Sequence, residues 1–187
     1  MPPRQRLTGS APLRVAPGEQ AFNGWVKIAS DDTVTVMVPK SEMGQGVHTA
    51  LPMLAAEELD VPLSAVRIEQ AGPDTIYGNV AMLVGSLPFH PLDSEGEHKA
   101  TKVKVGEWVV GKIARELGLN ATGGSSTISD AWGPLRMAAA TARASLLGAA
   151  AAQWKLPVAE LTVKDGVVSH ASGKSAHFGE LAKLAAG

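Results

Sequence analysis

Residues 24–38 read GWVKIASDDTVTVMV and contain two runs rich in β-branched side chains, 24–30 and 33–38. Val, Ile and Thr favour strands, and the Asp-Asp pair between the runs favours a tight turn. The stretch therefore predicts a β-hairpin with a two-residue turn at Asp31-Asp32.

A glycine-rich segment and a helix follow this hairpin. The segment EMGQG, residues 42–46, leads into apolar residues at helical spacing between positions 51 and 59. Thr49 is the predicted N-cap, which puts Pro52 in the first turn, where a missing N–H costs nothing. Residues 66–70, VRIEQ, alternate in character and predict a strand.

Helices are predicted for much of the second half of the chain. Residues 71–105 hold several turn dipeptides and a charged run, and they predict a long loop. One helix is predicted at 107–117 and a longer one at 129–155, where nine of the fifteen residues from 138 to 152 are alanine. A helix with such small, apolar side chains is typical of one buried against close neighbours.

The C-terminal region predicts a second hairpin and a closing helix. Residues 161–164 and 167–170 flank Asp165-Gly166, a favoured hairpin turn, and residues 178–186 have a helical pattern. Because no element follows this last helix to pack against it, we expect the domain to be partial.

The order of elements predicts an α+β fold, with a mixed or antiparallel sheet that contains hairpins. Helices, including the long alanine-rich buried one, are expected to cover this sheet. Residues 1–20, rich in Pro and Arg, predict an extended N-terminal arm, and residues 21–187 predict the domain itself.

The composition excludes several classes of function. The 187 residues hold 17 Lys+Arg and 18 Asp+Glu, so a net charge of −1 gives no electrostatic case for binding nucleic acid. With no cysteine, the chain has no thiolate metal ligand and no cysteine nucleophile. No apolar run reaches the roughly 20 residues that span a bilayer, so no membrane insertion is expected. The localisation is left open between periplasm and cytoplasm.

Two glycine-rich turns that precede helices are the candidate binding segments. In the first, Gly44-Gln45-Gly46, the glycines let the backbone approach a ligand, and the following helix offers N–H groups to an anion. Gln45 supplies an uncharged donor and acceptor for an oxygen ligand. The alternative is an ordinary strand-to-helix turn with an exposed glutamine.

The second turn is Thr122-Gly123-Gly124-Ser125-Ser126. Its backbone N–H groups and three hydroxyls favour a phosphate or pyrophosphate. The sequence matches neither a P-loop nor a dinucleotide-binding fingerprint. The alternative is a serine-capped helix start.

The remaining polar residues give weaker signals. The five histidines lack metal-ligand spacing, so no metal held by protein side chains is expected. They are His48, His90, His98, His170 and His177. Arg136 and Arg143 lie seven residues apart on one face of the long helix, which predicts a stripe that faces solvent or a partner.

Seven short stretches carry a resemblance to a known family. They are NGWVKI (23–28), SEMGQGVHT (41–49), AEEL (56–59), IYGN (76–79), TGGSS (122–126), DAW (130–132) and SGKS (172–175). With them the sequence resembles the xanthine dehydrogenase and aldehyde oxidase family of molybdenum hydroxylases. The resemblance is to the N-terminal part of a molybdopterin-binding beta subunit of isoquinoline 1-oxidoreductase type.

The resemblance implies a molybdenum–pterin cofactor, in its molybdopterin cytosine dinucleotide form. It implies hydroxylation of N-heterocycles or aldehydes with oxygen drawn from water. Gln45 would be the catalytic residue of this segment, hydrogen-bonded to an oxygen ligand of molybdenum, and Gly44 and Gly46 would allow close approach of the cofactor. Residues 122–126 would lie against the cofactor as well.

The resemblance also implies that this chain does not act alone. Large subunits of the family are several times longer, and the glutamate that serves as base lies near their C-terminal end. The expected partners are the remainder of the large subunit, or a second cofactor-domain chain, and a small [2Fe–2S] subunit. Two alternatives stay open: a catalytically silent binding or assembly module with this fold, and a phosphate-binding domain that uses only the second turn.

Overall fold

The computed structural model describes residues 6–90, 93 and 99–186, and its mixture of helices and two sheets confirms the α+β class. The strands are β1 (Glu19–Ala21), β2 (Val26–Ala29), β3 (Val34–Val38), β4 (Val66–Gln70), β5 (Thr162–Lys164), β6 (Val167–Ser169) and β7 (Ser175–His177). The helices are α1 (Val47–Leu59), α2 (Val80–Gly85), α3 (Thr101–Leu117), α4 (Thr127–Trp154) and α5 (Phe178–Ala185). Within the described ranges, no helix is long and apolar enough to cross a bilayer.

The first sheet has the order β1-β2-β3-β4. Its first three strands are antiparallel, whereas β3 and β4 are parallel, with Val36 opposite Ile68. Helix α1 connects these two parallel strands, so β3, α1 and β4 form a βαβ unit. The segment EMGQG therefore lies at the carboxyl end of β3.

The predicted first hairpin is confirmed, but its turn is one residue longer than predicted. Ala29 N–H donates to the Thr33 carbonyl at 2.9 Å, which leaves Ser30, Asp31 and Asp32 in the connection. Asp32 adopts a left-handed φ of 67°, which Asp tolerates better than most residues. A three-residue connection of this kind is the next commonest after the two-residue turn.

The predicted second hairpin forms a separate sheet of three antiparallel strands, in the order β5-β6-β7. Asp165 and Gly166 both have positive φ, 50° and 77°, as a two-residue type I′ turn requires. Strand β7 was not predicted, because its sequence Ser-Ala-His contains no β-branched or aromatic residue.

The alanine-rich helix α4 packs along α1. Ala138, Ala139, Ala142, Leu146 and Ala150 of α4 are completely buried. Small side chains at these positions let the neighbouring backbone come close, as the composition of this helix predicted.

Three of the predicted helices have boundaries that differ from the prediction. Helix α1 begins at Val47 with Gly46 as its N-cap, so Thr49 lies inside the helix. Helix α3 begins at Thr101, six residues before the predicted start, and α4 covers Thr127–Trp154 instead of 129–155.

The predicted loop at 71–105 contains a 3₁₀ turn, Thr75–Tyr77, and helix α2, while residues 91, 92 and 94–98 of it lie outside the described part. The start of α2 is held by Asp130, whose carboxylate accepts from Val80 N–H at 3.0 Å and Ala81 N–H at 3.1 Å. Asn79 is the local N-cap and accepts from Met82 N–H at 3.0 Å, but no local sequence pattern reveals the additional contact from another helix.

The N-terminal arm is tied to the core from Arg6 onward. Arg6 is 5% exposed and forms a 2.9 Å ion pair with Asp130, and it also donates to the carbonyls of Ile76 and Gly78. The indole of Trp25 donates to the Arg6 carbonyl at 2.6 Å. The division into an arm, 1–20, and a domain, 21–187, stays a prediction, and strand β1 crosses that boundary.

Candidate functional site

The two glycine turns, distant in sequence, line one cleft of about 410 Å³. The first turn and α1 contribute Met43, Gln45, Val47 and Ala50. The second turn and α4 contribute Thr122, Gly123, Gly124, Ser125, Thr127 and Ile128. The cleft lies beyond the carboxyl end of β3, where open sheets with parallel strands bind their ligands.

The carboxamide of Gln45 is held by its own loop. Its oxygen accepts from Met43 N–H, and its nitrogen donates to the Ser41 carbonyl at 2.7 Å. A carboxamide nitrogen has two N–H bonds, so one remains for a ligand. Gln45 thus lines the cleft and keeps one amide N–H without a partner among the described residues.

Glu42 occupies the N-terminus of α1 in place of a ligand. Its carboxylate accepts from the backbone N–H groups of Gly44 at 2.8 Å and of Gly46 and His48 at 2.9 Å. These bonds, that from His48 first, lower the pKa of Glu42 below its usual range. The expectation that this helix end offers free N–H groups to an anion is therefore wrong.

The glycines beside Gln45 are required by backbone conformation. Gly44 and Gly46 have φ of 90° and 81°, which strain any L-residue. A Cβ on either would meet no atom within 4 Å, so this chain leaves open space at both positions. A ligand could reach the backbone here without displacing protein atoms.

The second turn presents fewer free hydroxyls than its sequence suggests. The Ser126 hydroxyl is buried, donates to the Gly123 carbonyl at 2.6 Å and accepts from the Asn79 amide at 2.7 Å. The Thr122 hydroxyl accepts from Ser41 N–H at 3.0 Å. Ser125 is exposed, and its hydroxyl has no protein partner among the described residues.

Helix α4 starts at this turn without a capping side chain in the described part of the chain. The N–H groups of a first helical turn have no partner within the helix and carry a partial positive charge. Because Glu42 already occupies the start of α1, the start of α4 is the one available to an anionic group in the cleft.

A buried lysine near the first turn contacts the segment that leads into the second. Lys40 is 0% exposed, and its ammonium donates to the Tyr77 carbonyl at 2.8 Å and to the Asn120 side-chain oxygen at 2.5 Å. Burial lowers the pKa of Lys40 to about 8; the charge of Arg6 acts in the same direction and Asp130 opposes it.

Sequence reasoning did not identify Lys40, Glu42 or Asn79 as parts of the site. The usable signal for Lys40 was its position at the end of the wholly buried strand β3. For Glu42, the signal was an acidic side chain a few residues before a helix start. The partners of the Lys40 ammonium and of the Asn79 amide nitrogen lie far away in sequence, whereas the Asn79 side-chain oxygen accepts from Met82 N–H as a local N-cap.

Arg136 and Arg143 face α1 and are only partly exposed to solvent. Arg136 pairs with Glu58 and lies 5.1 Å from the ring centre of Trp132, and Arg143 is 3.9 Å from Asp60. The predicted solvent-facing or partner-facing stripe is thus partly used to bind α4 to α1.

The described histidines lie apart from one another. His48 contacts the Lys40 carbonyl, His170 pairs with Glu160 and His177 with Asp32. His98 lies outside the described residues. Across residues 6–90, 93 and 99–186, no cluster of three or more His, Cys, Asp or Glu side chains could hold a metal ion.

The chain is similar to several known proteins. Residues 6–86 match the family model of the molybdopterin cofactor-binding domain. The chain is 36% identical over 161 residues to isoquinoline 1-oxidoreductase subunit beta of Brevundimonas diminuta, covering 85% of this chain and 16% of that protein. It is 43% identical over 51 residues to xanthine dehydrogenase of Blastobotrys adeninivorans, covering 27% of this chain and 4% of that protein.

Among solved structures, the fold is similar to quinoline 2-oxidoreductase of Pseudomonas putida 86. The TM-score is 0.51 at 22% identity, and the match covers 84% of this chain and 15% of that one. The match of residues 6–86 thus defines the class of this region as a molybdopterin cofactor-binding domain. The chain belongs to the xanthine dehydrogenase and aldehyde oxidase family. It spans only 16% of the isoquinoline enzyme subunit that it matches.

Proposed function

We propose that this chain is the N-terminal segment of the molybdenum-cofactor-binding large subunit of an oxidoreductase that hydroxylates N-heterocycles or aldehydes with oxygen from water. The observation that carries the proposal is the single cleft lined by both glycine turns. The name of the relative, a subunit of an isoquinoline oxidoreductase, supports the N-heterocycle class.

The residues of the cleft fit a molybdenum–pterin cofactor, for which we propose the molybdopterin cytosine dinucleotide form. The open space at Gly44 and Gly46 admits a large group close to the backbone. The uncapped start of α4, with Thr122, Gly123, Gly124 and Ser125, suits a pyrophosphate. Ser126 supports this turn from behind through Gly123 and Asn79.

The cofactor supplies the redox chemistry, and because its sulfur ligands belong to the pterin, a chain without cysteine can hold it. Gln45 donates its free amide N–H to an acceptor oxygen in the cleft. A neutral donor of fixed orientation stabilises developing negative charge without having to reorganise. The base and the electron acceptor belong to the proposed partners: the remainder of the large subunit, or a second cofactor-domain chain, and a small [2Fe–2S] subunit.

The test is an activity assay on the chain purified with the polypeptides that accompany it. N-heterocycles and aldehydes are supplied with a dye acceptor in ¹⁸O-labelled water, and the products are analysed by mass spectrometry. The proposal predicts a hydroxylated product that carries ¹⁸O. Absence of product from every substrate, in a sample that contains the partners, would instead indicate a catalytically silent module.

A further inference from the structure

The buried side chain of Lys40 lies where the segments that lead into the two glycine turns meet. We propose that Lys40 and Asn120 form a staple that sets the width of the cleft, so that Lys40 is a positioning residue for cofactor binding. This inference rests on the function proposed above.

The staple joins residues 39–41 to residues 120–122. The Lys40 ammonium donates to the Asn120 side-chain oxygen, whose amide nitrogen in turn donates to the Pro39 carbonyl at 2.7 Å. One residue further along, Ser41 N–H donates to the Thr122 hydroxyl at 3.0 Å. Glu42 and Met43 then lead into the first turn, and Thr122 begins the second. A change in these contacts is therefore transmitted to both walls of the cleft.

The ammonium also anchors the staple to the core. Lys40 donates to the Tyr77 carbonyl at 2.8 Å, and the Tyr77 ring packs edge-on against Trp25 with ring centres 5.0 Å apart. The Lys40 carbonyl accepts from Nε2 of the His48 ring at 2.9 Å, which ties the same residue to α1. Lys40 thus attaches the segments before both turns to the same part of the core, around Tyr77.

A purely structural role does not require a charge at this position. Burial of an ammonium is costly unless its N–H groups are satisfied, and an apolar side chain of similar size often packs at least as well. Lys40 does not line the cleft, so it acts through the turns and not by touching a ligand.

The chain contains a matched control in Lys27, a second buried lysine. Lys27 is 3% exposed and pairs with Glu19 at 3.0 Å and Glu69 at 2.7 Å, across strands β1, β2 and β4. None of these residues belongs to either glycine turn. Lys27→Met therefore removes a buried lysine without touching the staple.

The experiment compares Lys40→Met, Lys40→Arg, Asn120→Ala and Lys27→Met in the complex purified with its native partners. Amide hydrogen exchange is followed in peptides that cover residues 43–47 and 123–128, and molybdenum and released pterin are measured. We expect Lys40→Met and Asn120→Ala to raise exchange in both turns by roughly tenfold and to lower cofactor content, because hydrogen bonds that hold the turns are lost. Lys40→Arg should partly restore the wild-type exchange rates and the cofactor content. Lys27→Met should show the same exchange as the wild type in both turns.

Equal exchange in the turns of Lys40→Met and Lys27→Met would overturn the staple. Because Asn120 is exposed, Asn120→Ala keeps the test decisive if Lys40→Met does not fold. A wild-type complex without molybdenum or pterin would contradict the proposed function, whereas the exchange comparison would still decide the staple.

Discussion

The side chain of Gln45 is fixed before any ligand arrives, because its carboxamide oxygen and one of its N–H bonds are already used by Met43 and Ser41. Gln45→Ala removes the remaining N–H donor. We expect turnover of the complete enzyme to fall roughly 10- to 1000-fold, the effect of losing one preorganised donor, while molybdenum content stays near normal. Steady-state kinetics with metal analysis checks this, with the exposed Gln153→Ala as control. Unchanged turnover would show that Gln45 has no catalytic role.

The buried ammonium of Lys40 makes the stability of the chain depend on pH. Its pKa is about 8 in the folded chain, against 10.5 for an ordinary lysine. Between these values the unfolded state binds more protons, so the free energy of unfolding rises with pH; below about 8 both states are protonated and the cost of burying the charge is fully present. We expect a gain of about 1–2 kcal/mol between pH 8 and 9.5.

Urea denaturation at several pH values measures this gain. Lys40→Met should lack it and Lys27→Met should keep it. A wild type and a Lys40→Met variant with parallel pH profiles would show that Lys40 titrates normally.

At the scale of single residues, the sequence was informative where chemistry depends on neighbours in the chain. From spacing alone, Gln45 between two glycines fitted either a neutral donor in a binding segment or an exposed residue of an ordinary turn, and the family resemblance favoured the donor. Lys40 and Ser126 were not interpretable, because what decides their roles is contact with Tyr77, Asn120 and Asn79, which only the folded chain brings near.

The second glycine turn requires a left-handed backbone at Gly124, whose φ is 60°. Gly124→Val adds a branched side chain beside the cleft, so we expect cofactor content to fall several-fold. Gly173→Val is the control, because Gly173 also has a positive φ, 87°, and open space around it, but lies in the turn between β6 and β7. Both variants carry a backbone strain on the order of 1–3 kcal/mol. Equal cofactor content in the two variants would indicate that this turn only starts a helix and does not contact the cofactor.

The packing of α4 on its neighbours depends on small side chains. Ala142 is completely buried, so Ala142→Leu would overpack this interface and destabilise the chain by about 1–3 kcal/mol. Ala144, two residues away, is exposed, and Ala144→Leu should change stability little. Thermal or urea denaturation compares the two. Equal stability of both variants would mean that α4 is not closely packed at Ala142.

Elements with strong local signals were predictable, and their boundaries were less so. The β-branched runs gave both hairpins, and the alanine content gave the burial of α4. Helix α2 and strands β1 and β7 were missed. Helix α2 is capped locally by Asn79 but also held by Asp130 from another helix, and neither strand contains a β-branched or aromatic side chain. Contacts between residues far apart in the chain determine where these elements begin and end.

At the scale of the whole molecule, the order of elements indicated an α+β fold but not its division into two sheets. The parallel pairing of β3 with β4 follows from α1 crossing between them, and it creates the edge at which the cleft forms. That both glycine turns line the same cleft is a consequence of the tertiary structure. The sequence could predict each turn but not their proximity.

The central claim is that this cleft holds a molybdenum–pterin cofactor. The most direct test measures molybdenum by plasma mass spectrometry, and released pterin by fluorescence, in the chain purified with its partners from the native host. We expect near-stoichiometric molybdenum and pterin. A pure complex with neither, from cells whose other molybdenum enzymes are loaded, would contradict the claim.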